Sequence, residues 1–112
     1  MTIIDKVTFD ELKQISGEDF INELIDTFLE DTPKMIAEIK SAHAANNAEV
    51  FRRAAHSMKS NALTFGADQL AALAKELEMI GKENRLIETG DRLKSMEEAY
   101  ASVRDELNRL KS

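Results

Sequence analysis

The chain has 112 residues, a net charge of −6 at neutral pH, four glycines, one proline and no cysteine. With 43% hydrophobic and 32% charged residues it reads as neither a disordered chain nor a membrane protein, and the missing cysteines exclude disulfides, thiolate chemistry and cysteine-based zinc sites. The acidic balance argues against general nucleic-acid binding, which draws on a basic surface.

A chain of this length suits one domain, residues 1–112, and the scarcity of breakers favours long helices. The opening, "MTIIDKVTFDEL", has neither the basic nor the long apolar region of a secretory signal. No apolar run approaches the roughly 18 residues of a membrane span. A cytoplasmic protein without membrane contact is expected.

The first predicted helix is short, about Thr8 to Ile15, with Thr8 as its cap and Glu11 completing a capping box. The second runs from about Glu18 to Ala45 on a stripe of Ile21, Leu24, Ile25, Phe28, Met35, Ile36 and Ile39. Pro33 lies inside it and should kink or break it. "AANNAE", residues 44–49, reads as a turn. The third helix spans about Ala48 to Phe65, with Gly66 as its stop. The fourth spans about Ala67 to Gly81, with Leu70, Leu73, Ala74, Leu77 and Ile80 on one side. Residues 81–90 are polar and read as a loop. The fifth helix starts near Asp91 and spaces Leu93, Met96, Tyr100, Val103, Leu107 and Leu110 almost as a heptad. Amphipathic helices with short connections predict an all-α fold: an antiparallel four-helix bundle with a short extra N-terminal helix over one end.

Charge is unevenly spread. Residues 17–31 carry six acids and no base, and residues 50–66 carry three bases and no acid. The second stretch holds His56. At about 100° per residue, Phe51, Ala54, Ala55, Met58, Ala62 and Phe65 share one stripe, the predicted core face. His56 lies about 140° from Phe51, on an outer strip with Arg52 one turn before it, Lys59 and Ser60 one turn after it, and Leu63 two turns on. A solvated imidazole is largely neutral at pH 7 and presents a nucleophilic ring nitrogen. If that nitrogen accepts a phosphoryl group, Lys59 and Arg52 can offset the charge. On charge and periodicity alone, a bland surface histidine fits as well.

The stretch "AAHSMKSNALTFGADQLAALAKELE" resembles the signature of histidine-containing phosphotransfer (HPt) domains: a His, any residue, an aliphatic residue, Lys, small residues, then Gly-Ala ten positions after the His and a helix ending in Leu-Glu. These fall on His56, Met58, Lys59, Ser60, Asn61, Ala62, Gly66, Ala67, Leu77 and Glu78. "LIDTFLEDTPKMIAEIKSA" is similar to the family's second helix, including its proline. The resemblance covers about residues 20–83 by motif, and the last helix by pattern only. Ser60 stands where the family usually has Gly, and Asn61 where Ser or Ala is common. Glu78 stands 22 residues after His56, where some members carry a Gln that bonds the imidazole. A Glu there could orient the ring, although its charge would repel a phosphoryl group.

The resemblance implies a phosphocarrier rather than an enzyme. His56 would take a phosphoryl group from an aspartate of one receiver domain and pass it to a response-regulator aspartate, with Lys59 stabilising the charge. Arg52, Arg53, Ser60 and Leu63 would face the partner. It implies no intrinsic cofactor or metal: the receiver domain holds the Mg²⁺. The implied partners are response-regulator receiver domains and a hybrid sensor histidine kinase, and a monomer is expected.

Three rivals remain to be weighed. The dimerisation domain of a sensor kinase has an acidic residue directly after its His and a Pro soon after; here Ser57 follows, and no Pro comes after Pro33. A di-iron bundle needs Glu-x-x-His pairs, but Lys40 and Arg53 precede His43 and His56 at that spacing, and HExxH is absent. His43 continues the line of Ile36 and Ile39 and is expected to be half-buried and structural. The third rival is a non-phosphorylated helical adaptor that binds receiver-like partners through the same surface.

Overall fold

The computed structural model describes residues 3–111. Among these the fold is all-helical and has no strand: α1 (Lys6–Ser16), α2 (Glu18–Ala44), α3 (Ala48–Thr64), α4 (Asp68–Lys82), a 3₁₀ turn (Leu86–Glu88) and α5 (Arg92–Leu110). No helix among the described residues is long and apolar enough to cross a membrane.

Local chemistry explains where the helices start and stop. Asp5, not Thr8, caps α1: its carboxylate accepts the Thr8 backbone N–H at 3.1 Å and the Thr8 hydroxyl at 2.6 Å. The helix therefore begins at Lys6, ahead of the expected start. An ionised carboxylate at the positive end of a helix outcompetes a hydroxyl for this role. Asn47 caps α3 through the Val50 N–H at 3.2 Å. At the other end of α3, Gly66 takes φ 75°. Its N–H donates to the Leu63 carbonyl at 3.1 Å, and the Ala67 N–H donates to the Ala62 carbonyl at 2.9 Å. This paired closure needs a left-handed residue. Gly66 also accepts the Asp5 N–H at 2.8 Å, and a Cβ there would lie 3.0 Å from the Asp5 carbonyl oxygen.

Pro33 does not break α2, which runs uninterrupted from Glu18 to Ala44. Proline removes the N–H that would bond the carbonyl four residues back, that of Leu29. The Tyr100 hydroxyl of α5 donates to that carbonyl at 3.4 Å. The Pro33 side chain is exposed, so its ring costs the core nothing.

Residue pairings fix how the helices run. Along α2 and α3, His43 meets Phe51, Met35 meets Asn61, and Phe28 meets Phe65. Along α3 and α4, Arg52 meets Gly81 and His56 meets Glu78. Along α2 and α5, Lys40 meets Glu97 and Leu29 meets Tyr100. In each pair one helix advances as the other recedes. One hydrophobic core takes residues from all five helices, including Phe9, Ile25, Ile39, Phe51, Met58, Leu77, Met96 and Leu107. The six stripe residues, five in α3 and Phe65 directly after it, are all buried. The polar segment after α4 is not a free loop: Leu86 is buried, and the buried Thr89 hydroxyl donates to its carbonyl at 2.7 Å.

Candidate functional site

Burying the Phe51–Phe65 stripe turns the opposite side of α3 outward, and His56 lies there with its side chain 55% exposed. The neighbouring helix α4 comes unusually close. A Cβ on Gly81 would lie 3.0 Å from the backbone nitrogen and Cα of Arg52. One turn earlier on α4, Glu78 reaches the imidazole: its Oε2 lies 2.6 Å from His56 Nδ1. Its other oxygen, Oε1, accepts from Lys59 Nζ at 2.6 Å. One carboxylate thus bridges the histidine and the lysine that follows it by three residues.

The charge state of Glu78 decides what the ring offers. Burial pushes its carboxyl up, but the hydrogen bonds from Lys59 and His56 outweigh this and hold it below its ordinary 4.5. It is therefore ionised at neutral pH and can only accept. Nδ1 must carry the proton, and in the neutral ring Nε2 keeps its lone pair. The clamp orients an exposed imidazole and defines its tautomer.

The cations around the ring differ from the sequence expectation. Glu49, just outside the acid-free stretch, binds Arg52 through two contacts of 2.6 and 3.3 Å. The same carboxylate lies 3.7 Å from Arg53 Nε. Arg52 is thus tethered and partly neutralised, and the i, i+3 spacing of Glu49 and Arg52 was the available signal. Lys59 is engaged by Glu78. Ser60 and Leu63 are exposed on the same side of α3, Leu63 at 51%. Lys75 and Lys82, one turn to either side of Glu78 on α4, are exposed. His43 is half-buried, its ring centroid 6.3 Å from that of Phe51.

A model of the Hpt domain matches residues 23–112. Similar proteins include the phosphorelay protein LuxU of Vibrio harveyi, 27% identical over 88 residues that make up 79% of this chain and 77% of the relative. LuxU of Vibrio cholerae serotype O1 is 28% identical over 85 residues, 76% of this chain and 75% of the relative. The crystal structure of histidine-containing phosphotransfer protein B (HptB) from Pseudomonas aeruginosa PAO1 superposes with a TM-score of 0.92. It is 28% identical and covers 97% of this chain and 94% of its own.

Proposed function

The chain belongs to the Hpt domain family and is a histidine phosphotransfer protein of a phosphorelay, and from this we propose that His56 is the residue that carries the phosphoryl group. The observation that supports the assignment is the Glu78 clamp: Nδ1 is tied to a carboxylate at 2.6 Å while the ring remains 55% exposed. Nε2 is then the acceptor atom. Its lone pair attacks an aspartyl phosphate of one receiver domain, and the carboxylate of that aspartate leaves. The reverse step delivers the group to a response-regulator aspartate. Lys59 offsets the charge of the phosphoryl group. Arg52, Arg53, Ser60 and Leu63 form the docking surface, and their excess of cations complements an acidic receiver pocket.

In this reading the chain is a carrier and needs no metal of its own. The receiver supplies Mg²⁺ and most of the positioning that phosphoryl transfer demands. A hybrid sensor histidine kinase lies upstream, and the carrier works as a cytoplasmic monomer. We read residues 1–112 as one domain, with α2 to α5 as an antiparallel four-helix bundle and α1 as an added short helix. The three-residue connections before α3 and α4 and the shared core support this.

The test is to incubate the protein with a panel of phosphorylated receivers and map the acid-labile, base-stable label. His56→Gln should remain helical and take up no label. Label persisting in that variant would move the site elsewhere.

A further inference from the structure

Two cations bracket His56 on its α4 side, and a carboxylate holds each of them. Lys59, one turn after the ring, is held by Glu78 at 2.6 Å. Arg52, one turn before it, is held by Glu49 at 2.6 and 3.3 Å. We propose that Glu49 parks Arg52 only while the ring is free, and that Arg52 leaves it to grip the phosphoryl group carried by His56. Arg53 then keeps the carboxylate. The inference rests on the phosphorelay reading above and makes Glu49 a positioning residue that acts through Arg52.

The layout follows from the helical period. Glu49 lies seven residues before His56 and about 20° from it around α3. Arg52 and Arg53 lie between, about 40° to one side of the ring and about 60° to the other. The fold gives each side its neighbour. The Arg52 backbone packs on Gly81 of α4, so closely that a Cβ there would lie 3.0 Å away. Arg53 lines the groove toward α2 with Met35 and Glu38. Helix side chains lean toward the N-terminus. Arg52 therefore starts out over the turn of Glu49, and the His56 ring stands over the turn of Arg52. Rotation of the Arg52 stem exchanges one anion for the other, while its backbone stays fixed against α4.

Charge decides the exchange. The Glu49 side chain is 63% exposed, and ion pairs in such a setting hold weakly. A phosphoryl group brings about two negative charges and three acceptor oxygens. An arginine fork can meet two of those oxygens at once. Glu49 has a single charge to set against this. It is not left unpaired when Arg52 goes, because Arg53 Nε already lies 3.7 Å from the same carboxylate. Lys59 cannot take over the part of Arg52. Its ammonium is a point charge without a fork, and Glu78 divides its two oxygens between Lys59 and the ring. Glu49 thus keeps the fork occupied until a phosphoryl group is fixed beside it.

The experiment loads the full chain with phosphoramidate, a small donor that phosphorylates imidazole without a receiver, so docking plays no part. It follows the Arg52 Nε–H resonance on loading, and then the rate of label loss. In wild type that resonance should move on loading. Arg52→Gln should lose label several-fold faster than wild type. Glu49→Gln should lose it roughly threefold more slowly, the fold-change that an exposed ion pair is worth. In the combined variant this gain should vanish, because no arginine is left to release. A Glu49 that merely supported α3 would keep its effect there. Arg53→Gln, which leaves Glu49 with Arg52 alone, should shorten the lifetime toward that of Arg52→Gln. An unmoved Arg52 resonance in wild type labelled on His56 overturns this inference alone, as does a Glu49→Gln gain that survives without Arg52. Failure of folded wild type to take label on His56 removes the phosphorelay reading and this inference with it.

Discussion

In the proposed carrier a ring nitrogen on a helix surface is a dependable acceptor only when the proton is fixed on the other nitrogen, and the 2.6 Å contact from Glu78 is the one that would do this. The remaining requirement is access. Ser60 is exposed and one turn beyond His56, so a long side chain there would stand between the ring and a docking partner. Ser60→Arg should reduce receiver-dependent transfer by tenfold or more while shifting stability by no more than about 0.5 kcal/mol, as surface changes do. Transfer at the wild-type rate would place the docking surface elsewhere. The outward direction of His56 was legible in the sequence because the helical period alone sets it. The meaning of Glu78 was only half legible. Its separation from His56 suggested a ring contact, but that its charge is absorbed by Lys59 depends on two helices meeting, which no local pattern encodes.

Between elements, the closeness of α3 and α4 is the feature that assembles the site. Gly81 has no Cβ, and one added there would press on Arg52 backbone at 3.0 Å. Neither backbone can move aside cheaply. Gly81→Ala should cost about 1–3 kcal/mol, the usual penalty for overpacking. It should also slow phosphoryl uptake, because Glu78 sits on the helix that is pushed away. Urea unfolding and label uptake measured on the same variant check both, and a fully active, destabilised variant would separate the packing from the chemistry. The sequence marked Gly81 only as a helix end, since composition shows where a glycine is and not what lies opposite it. The start of α1 was misplaced because Thr8 has a capping hydroxyl, while the Asp5 carboxylate takes the role through its charge. Pro33 looked like a kink or a break, and α2 runs on through it while the hydroxyl that serves the vacated carbonyl comes from Tyr100, 71 residues away.

Over the whole molecule the core, not the charged surface, carries the fold. The cross-helix ion pairs Lys40–Glu97 at 2.7 Å and Arg92–Glu76 at 3.3 Å are exposed, and such pairs contribute at most about 1 kcal/mol each. The core was legible because each helix shows one apolar stripe. pH acts through a few carboxylates. Asp5 is held below its ordinary 3.8 by its hydrogen bonds from Thr8, first the hydroxyl and then the backbone. Glu78 lies below 4.5 because Lys59 and His56 outweigh its burial. In the acid range the unfolded chain therefore binds more protons than the folded one. The stability these groups contribute is complete above their ordinary values and is lost as pH falls through the lowered, folded ones. The urea midpoint should drop between pH 6 and pH 3, and Asp5→Asn combined with Glu78→Gln should shrink that drop. An undiminished drop would assign the acid sensitivity to other groups.

The hydroxyl that Tyr100 lends to α2 also makes the chain its own spectroscopic sensor. Tyr100 is the sole tyrosine and there is no tryptophan, so ultraviolet-excited emission comes chiefly from one ring wedged between α5 and the Leu29 carbonyl, with Phe28 6.2 Å away centroid to centroid. That signal follows the α2–α5 seam and is silent about the α3–α4 seam where His56 lies. Variants at Glu78, Lys59 or Ser60 can thus be certified as folded without a label, by a readout that their chemistry does not disturb.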